Sequence, residues 1–354
     1  MNESEIQVGS VPTRAMPSSH QSAPKRTRSD SERRHQPSGR WLLGFSLAFI
    51  TTCLWSTAPI ALSLLIQQMD APTTAFYRFA SVSLVLGAVL SARRLLPPVR
   101  RLVTGSCLWL LLIAGVGFTG NFVIYQCALD HISPGTAQLV MQIAPFLVLI
   151  GSVVVYREPF SRSQSGGLCL LTVGLLLFFN QRLDEFVAIS TGYMAGTLLI
   201  MLAAASWATC VLAQKQLLTI CAAPSLMLVL YSFGAAFMLP LSTLTQIYDL
   251  SSEQLVVLAY CIANMLISYT CFAEALQHWE SSRVSMVVCT SPLLTLAMSH
   301  PASLIWSGRI MPDDLNILGL SGAIVVVSGS MLCSFGGRRS GSPKVPKPQE
   351  SSSD

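Results

Sequence analysis

Charge is the scarcest property of this 354-residue sequence. Only 11% of its residues are charged and 52% are hydrophobic, whereas roughly 25% of the residues in a soluble domain are charged. The two ends hold much of that charge, so only 22 charged residues remain in 41–336. So few charges cannot cover a surface that faces water. The composition excludes a soluble enzyme, a nucleic-acid binder and a disordered scaffold, and it predicts a polytopic membrane protein.

Catalytic and metal-binding motifs are also missing. The sequence has no HExxH, no GxSxG and no P-loop GxxxxGK[ST]. Its ten cysteines include no CxxC pair, and they lie in or beside apolar runs, where cysteine usually acts as a small hydrophobic residue. No aspartate lies within a predicted membrane helix, so an aspartate pair for intramembrane hydrolysis is missing. We therefore expect no enzyme activity, no metal and no cofactor.

Ten apolar segments are candidates to cross a bilayer, which requires ~20 mostly apolar residues. The segments are 41–66, 73–92, 105–129, 135–156, 164–180, 191–213, 224–246, 254–277, 284–306 and 315–335. None shows the strict two-residue alternation of a membrane β-strand. We therefore predict ten transmembrane helices. The polar tails at 1–40 and 337–354 are predicted to be disordered, because they are rich in Ser and Pro and have no apolar run.

The distribution of basic residues predicts the orientation in the membrane, because lysine and arginine accumulate on the cytoplasmic side. If the N-terminus is inside, 19 of the 22 basic residues lie on the inner side, 2 lie on the outer side, and Arg78 lies within a helix. Both termini are then cytoplasmic, which requires an even number of helices. We expect an integral, multi-pass protein of the bacterial inner membrane.

The membrane region contains an internal repeat. The segment TTCLWST at 51–57 matches AAASWAT at 203–209, at an offset of 152 residues. Pro145 matches Pro292 at an offset of 147 residues. Further matches in the same order are Ala71-Pro72 with Ala223-Pro224, Ala128-Leu129 with Ala275-Leu276, His131 with His278, and Gly167 and Gly174 with Gly322 and Gly329.

Each predicted repeat, 41–180 and 190–336, contains five helices. Because five is an odd number, the second repeat enters the membrane in the opposite sense to the first. Inverted repeats of this kind are typical of secondary transporters, in which substrate binds near the middle of the membrane between the repeats. The predicted fold class is an all-α polytopic membrane protein with ten helices in two inverted five-helix repeats.

Several short motifs occur in a characteristic order along both repeats. They are Trp55-Ser56, Tyr77-Arg78-Phe79, Ala128-Leu129, Pro145 and Arg157-Glu158-Pro159, followed by Trp207, Ala275-Leu276, Pro292 and the pair Gly322 and Gly329. In this order they resemble the drug/metabolite transporter superfamily, and specifically its ten-helix EamA-type members. The resemblance implies ATP-independent export or exchange of small metabolites or drugs by alternating access, and it implies no particular substrate.

One motif departs from that pattern. Glu158 has no clear counterpart after the ninth predicted helix, because the distance from Gly322 selects Asp313 whereas the distance from Pro292 selects an apolar residue. This departure favours an alternative, a non-transporting membrane sensor or assembly protein on the same fold. A second alternative is a nucleotide-sugar-type exchanger, although its phosphates would favour several basic residues in the pore. The expected partners are a small-molecule substrate and the lipid bilayer, without nucleic acid, and a homodimer is left open.

Arg78 is the strongest charged candidate for substrate binding, because ionisable residues inside a membrane are costly and are often functional. A guanidinium can bind a carboxylate or phosphate through two parallel hydrogen bonds. The alternative is that Arg78 reaches outward to water or pairs with Asp70 or Asp130. Glu274, near the inner end of the eighth helix, is a candidate for proton coupling, because partial burial raises the pKa of a carboxyl group. Its alternative role is an interfacial acid.

Neutral polar residues predict a cavity between the repeats. Two pairs share a helix face at a spacing of four residues, and the repeat offset places further polar residues opposite them. Trp55 and Trp207 would supply aromatic walls. The complete set of predicted substrate-binding residues is Trp55, Arg78, Asn121, Tyr125, Gln138, Gln142, Trp207, Asn264, Ser268 and Ser285. The alternative is that the polar members form interhelical hydrogen bonds, which contribute about 0.6 kcal/mol each on average.

Overall fold

The computed structural model describes residues 40–157, 161–180, 192–279, 281–313 and 315–336. Residues 1–39 and 337–354 of the two predicted disordered tails lie outside these residues, and so does Glu158. All regular secondary structure in the described ranges is helical. Helices suit an apolar chain of this kind, because their backbone groups are hydrogen-bonded within the segment and need no water.

Ten helical elements correspond to the ten predicted segments. They are α1 (Trp41–Ser63), α2 (Ala71–Ala92), α3 (Ser106–Ala128), α4 (Pro134–Val140 and Ala144–Tyr156), α5 (Arg162–Phe178), α6 (Gly192–Leu217), α7 (Ala223–Met238), α8 (Ser252–His278), α9 (Ser281–Val288 and Ser291–Ile305) and α10 (Ile317–Gly336). Eight of them are long and apolar enough to cross a membrane, whereas the apolar stretches Arg162–Phe178 and Ile317–Cys333 are shorter.

Local signals in the sequence explain where several helices begin and end. Asp70 caps α2, because its side chain accepts a hydrogen bond from the backbone N–H of Thr73. Ser251 and Gln254 form a reciprocal capping box at the start of α8. Helix α7 ends at Met238, well before the predicted end at 246, and continues as short 3-10 turns. Pro240 explains the early end, because proline has no N–H to donate to the preceding turn and so interrupts the α-helical hydrogen-bond pattern.

Helices α4 and α9 are both interrupted near their middle. A 3-10 turn at Met141–Ile143 divides α4, and residues 289–290 divide α9. Pro145 and Pro292 stand at the start of the second segments. Proline has no N–H and its ring crowds the carbonyl four residues earlier, so it breaks the hydrogen-bond ladder. Both prolines are visible in the sequence, but the helices predicted at 135–156 and 284–306 were uninterrupted.

Helices from the two halves of the chain pack against each other in pairs. Helix α1 packs against α8, α3 against α6, α2 against α7, and α5 against α10. The α5–α10 contact is close because glycines face each other across it. A Cβ atom on Gly167 would lie 2.7 Å from the carbonyl oxygen of Gly329, and one on Gly174 would lie 2.9 Å from that of Gly322. The glycines therefore allow the two helix backbones to touch.

Candidate substrate-binding site

Arg78 lies two turns into α2 and faces the interior of the helix bundle. Arg78 is 5% exposed, and it is the only charged residue among the described residues that is buried. The guanidinium carbon is 5.1 Å from the centre of the Phe122 ring of α3. Such a cation–π contact is favourable but supplies no hydrogen-bond acceptor.

The guanidinium of Arg78 has no hydrogen-bond acceptor among the described residues, and its Nε atom is enclosed without a partner. Neither Asp70 nor Asp130 pairs with it. Asp70 instead caps α2 and accepts a hydrogen bond of 3.0 Å from the Gln246 amide, and Asp130 is exposed. The outward-reaching and loop-paired alternatives for Arg78 therefore do not describe its position.

Aromatic rings surround Arg78 from both halves of the chain. Phe122 contacts Phe118 of α3, with ring centres 4.9 Å apart, and Phe118 contacts Tyr231 of α7 at 5.5 Å. The Tyr231 ring then meets Tyr269 of α8 at 6.5 Å, and Tyr269 meets Trp55 of α1 at 5.7 Å. Tyr231 and Tyr269 both lie within electrostatic range of Arg78. Four helices thus supply a continuous series of rings beside one cation.

A chain of hydrogen bonds crosses from α3 to α1. The Tyr125 hydroxyl donates to Oε1 of Gln138 at 3.0 Å, and the Gln138 amide donates to the Ser291 hydroxyl at 3.0 Å. The Ser291 hydroxyl is 3.1 Å from that of Ser56. The structure therefore brings together the predicted residues Tyr125 and Gln138. Ser56 and Ser291 were not predicted, although each adjoins a recognised residue, Trp55 and Pro292.

The remaining predicted polar residues contact neighbouring helices. The Asn121 amide donates to the carbonyl of Ala203 at 2.9 Å. The Asn264 amide donates to the carbonyl of Leu54 at 2.7 Å, and the Ser268 carbonyl accepts from Thr51 at 3.3 Å. These contacts are the interhelical hydrogen bonds of the alternative interpretation. They join α3 to α6 and α1 to α8.

Three further predicted residues lie in less enclosed surroundings. Trp207 is half-buried and packs against the apolar cluster that contains Phe118. Ser285 is half-buried on the first segment of α9. Glu274 lies 3.1 Å from His278 one turn away, and its side chain is 47% exposed. This position agrees with the interfacial role that the sequence analysis gave as the alternative to proton coupling.

Asp313, in the loop between α9 and α10, is a polar contact that the sequence analysis did not assign to the site. Its carboxylate accepts hydrogen bonds from the backbone N–H of Thr136, at 3.2 Å, and from the hydroxyls of Ser133 and Ser299. Burial raises the pKa of Asp313 above its usual range, although these hydrogen bonds oppose the shift. The only sequence signal was its distance from Gly322. Asp313 joins the start of α4 to α9 across the two halves.

Other polar contacts lie on the same face of the bundle as Asp313. The Gln246 amide reaches Asp70, and the Gln67 amide donates to the Gly308 carbonyl at 3.3 Å. Both contacts connect a loop of the first half with a loop of the second half. The halves are therefore held together at this face by hydrogen bonds between loops.

Comparisons with known proteins identify the family of the chain. The model of the EamA-like transporter family matches residues 42–180 and 194–335. The "Uncharacterized inner membrane transporter YhbE" of Escherichia coli (strain K12) is 36% identical over 296 residues, which cover 84% of this chain and 92% of that protein.

A more distant relative and a solved structure extend the comparison. The "Probable amino-acid metabolite efflux pump" of Salmonella typhimurium is 24% identical over 246 residues, which cover 65% of this chain and 78% of that protein. A crystal structure with a TM-score of 0.56 and 21% identity covers 86% of this chain and 100% of its own, a likeness of fold. The matches to both halves, the apolar helices and the relative named as an inner membrane transporter lead to one conclusion: the chain belongs to the EamA-like transporter family and is an integral membrane transporter, not an enzyme.

Proposed function

We propose that this protein is a secondary transporter that exports small metabolites by alternating access, without ATP. The substrate site lies between two inverted repeats of five transmembrane helices, 41–180 and 190–336. A relative named as an amino-acid metabolite efflux pump supports export and small substrates. The site consists of Arg78, the adjoining aromatic rings and the hydrogen-bonded side chains of Tyr125, Gln138, Ser291 and Ser56. Together these residues supply a positive charge, aromatic surface and polar groups from both halves.

The pairing of helices carries this proposal. If each helix corresponds to the helix five places later, the α3–α6 contact is equivalent to the α8–α1 contact. The α2–α7 and α5–α10 contacts then map onto themselves. All four contacts are present, which is the pattern that a pseudo-two-fold axis generates. The breaks at Pro145 and Pro292 support the same relation, since discontinuous helices at corresponding positions accompany substrate sites in such folds.

Alternating access requires the halves to separate on one face at a time. The loop contacts of Asp313 and Gln246 would have to open for a substrate to leave on that face. The distribution of basic residues predicts that this is the outer face, with both termini in the cytoplasm. Reporter fusions test this orientation: fusions at Ser10 and Ser352 should report the inside, and one at Asp249 should report the outside. Signals divided evenly between the two sides would contradict the inverted arrangement.

Export itself is tested by a growth-protection screen. Cells that overexpress the protein are exposed to toxic amino-acid analogues, nucleosides, drugs and apolar carboxylic acids, and the protective class is then measured as flux from proteoliposomes. We expect protection by the wild type and by Arg93→Ala, whose exposed side chain lies in a loop, but not by Arg78→Ala. A protein that inserts normally and moves none of these compounds in liposomes would refute the proposal and favour the sensor alternative.

A further inference from the structure

The surroundings of Arg78 contain several hydrogen-bond donors that have no acceptor among the described residues, and Nε of Arg78 is fully enclosed. Guanidinium carries five N–H donors, and none has an acceptor among the described residues. The hydroxyls of Tyr231 and Tyr269, which lie near Arg78, likewise make no hydrogen bond to a described residue. Tyr231 is buried and Tyr269 is half-buried, and a buried tyrosine hydroxyl usually finds a partner. Donors from α2, α7 and α8 therefore lie within electrostatic range of one another without a described acceptor.

The missing group must also carry negative charge. A buried cation without a counter-ion is unfavourable, because its transfer out of water is not offset. No acid lies within α1–α4 or α6–α7, and in α8 Glu253 contacts Arg309 and Glu274 contacts His278. A ligand carboxylate would supply both the charge and the two planar acceptors that match a guanidinium.

The charge of the ligand is limited to one unit. A phosphate monoester carries −1.5 to −2 at neutral pH, and the fully buried residues include no second cation to balance it. A zwitterionic amino acid would place its ammonium group beside Arg78, which has no acidic partner among the described residues. The second positive charge would be unfavourable there. The rings of Phe122 and Trp55, which are half-buried, offer contact to an apolar body instead.

We propose, building on the transport function above, that the Arg78 site selects monocarboxylates with an apolar or aromatic body and no free ammonium group. Arg78 binds the carboxylate with help from the hydroxyls of Tyr231 and Tyr269, and the surrounding rings contact the body. The substrate class is therefore a deaminated or N-blocked relative of an apolar amino acid, not the amino acid itself.

The test measures binding to the purified full-length protein, with four probes that share a phenyl ring. They are 3-phenylpropanoate, phenylalanine, 3-phenylpropan-1-ol and phenyl phosphate. We expect 3-phenylpropanoate to bind on the order of tenfold tighter than each of the others, which corresponds to about 1.4 kcal/mol. Phenylalanine or phenyl phosphate binding as tightly as 3-phenylpropanoate would overturn the charge limit. No binding of 3-phenylpropanoate would overturn the proposal entirely.

Variants connect the preference to the named side chains. Arg78→Gln should abolish the preference for 3-phenylpropanoate over 3-phenylpropan-1-ol, and Arg78→Lys should weaken binding because the planar fork is lost. Tyr231→Phe and Tyr269→Phe each remove one hydroxyl and should weaken carboxylate binding several-fold, which keeps the test decisive if the Arg78 variants fold poorly. Unchanged binding in all four variants would refute the site. Binding of 3-phenylpropanoate without transport in proteoliposomes would refute the proposed transport function alone. Transport of other compounds without a preference for 3-phenylpropanoate would refute the inference about the Arg78 site alone.

Discussion

The side-chain amide of Gln142 donates a hydrogen bond to the backbone carbonyl of Cys289, over 3.0 Å. The two residues stand where α4 and α9 are interrupted, and they are 147 residues apart, as are Pro145 and Pro292. A broken helix exposes carbonyl groups that need a donor inside the membrane. Here Gln142, at the break in α4, supplies the donor for a carbonyl at the break in α9. The two halves therefore contact each other at corresponding positions.

Removal of this amide should destabilise the protein. We expect Gln142→Leu to lower the free energy of unfolding by about 1–3 kcal/mol, because a buried carbonyl loses its donor. The matched control is Gln126→Leu, since both polar atoms of the buried Gln126 amide already lack partners and their loss should be neutral or stabilising. Thermal unfolding in detergent measures both. A Gln142→Leu variant as stable as the wild type would show that the contact contributes little.

Arg78 should reduce stability while it serves binding. Replacement of an uncompensated buried cation by methionine, of similar length, removes the cost of desolvation, so the melting temperature of Arg78→Met should equal or exceed that of the wild type. Arg78→Ala leaves a cavity and should melt lower. Calorimetry on the two purified variants distinguishes them. A fall of several degrees for Arg78→Met would assign Arg78 a structural role.

Asp313 should make stability depend on pH. Burial raises the pKa of Asp313 in the folded protein above its unfolded value, so its favourable contribution is complete below the unfolded pKa and is lost as the pH rises through the folded pKa. Asp313→Asn does not titrate and resembles the neutral acid. Its melting temperature relative to that of the wild type should therefore be highest near neutral pH and should fall as the pH is lowered toward about 4.

The control for Asp313 is Glu253→Gln, which removes an acid that is 51% exposed and belongs to a surface ion pair. A difference between wild type and Asp313→Asn that stays constant across the pH range would contradict the assignment. So would a difference that grows as the pH falls.

The α5–α10 contact should reject even a methyl group. A Cβ atom on Gly167 would meet the Gly329 backbone at 2.7 Å, whereas one on the adjacent Gly166 would meet only the end of the Leu332 side chain, at 3.4 Å. We expect Gly167→Ala to cost about 1–3 kcal/mol. Gly166→Ala should be neutral or slightly stabilising, because alanine favours the helix over glycine by about 0.5–1 kcal/mol. Equal melting temperatures for the two variants would mean that these helices can separate without cost.

The sequence alone determined the class of protein and the positions of its helices. Predicted segments such as 73–92 and 135–156 lie within a few residues of the observed elements, Ala71–Ala92 and Pro134–Tyr156. This agreement has a local cause, since apolar composition and the need for internal backbone hydrogen bonds act within each segment. The motifs from Trp55 to Gly329 likewise identified the family, because they occur in its order and several of them recur in the second repeat.

Only the tertiary structure decided which side chains meet. Tyr125 and Gln138 were predicted to share a cavity. The hydrogen bonds that connect Gln138 with Ser291 and Ser56 depend on the rotation and crossing of four helices. The contact of Asp313 with Ser133 depends in the same way on a loop that crosses between the halves. Sequence spacing specifies the neighbours along one helix but not the rotation of that helix against another, because packing over the whole interface sets that rotation. For the same reason Asn121 and Asn264, which are predicted to line the same cavity as Gln138, instead donate hydrogen bonds to the backbone of neighbouring helices.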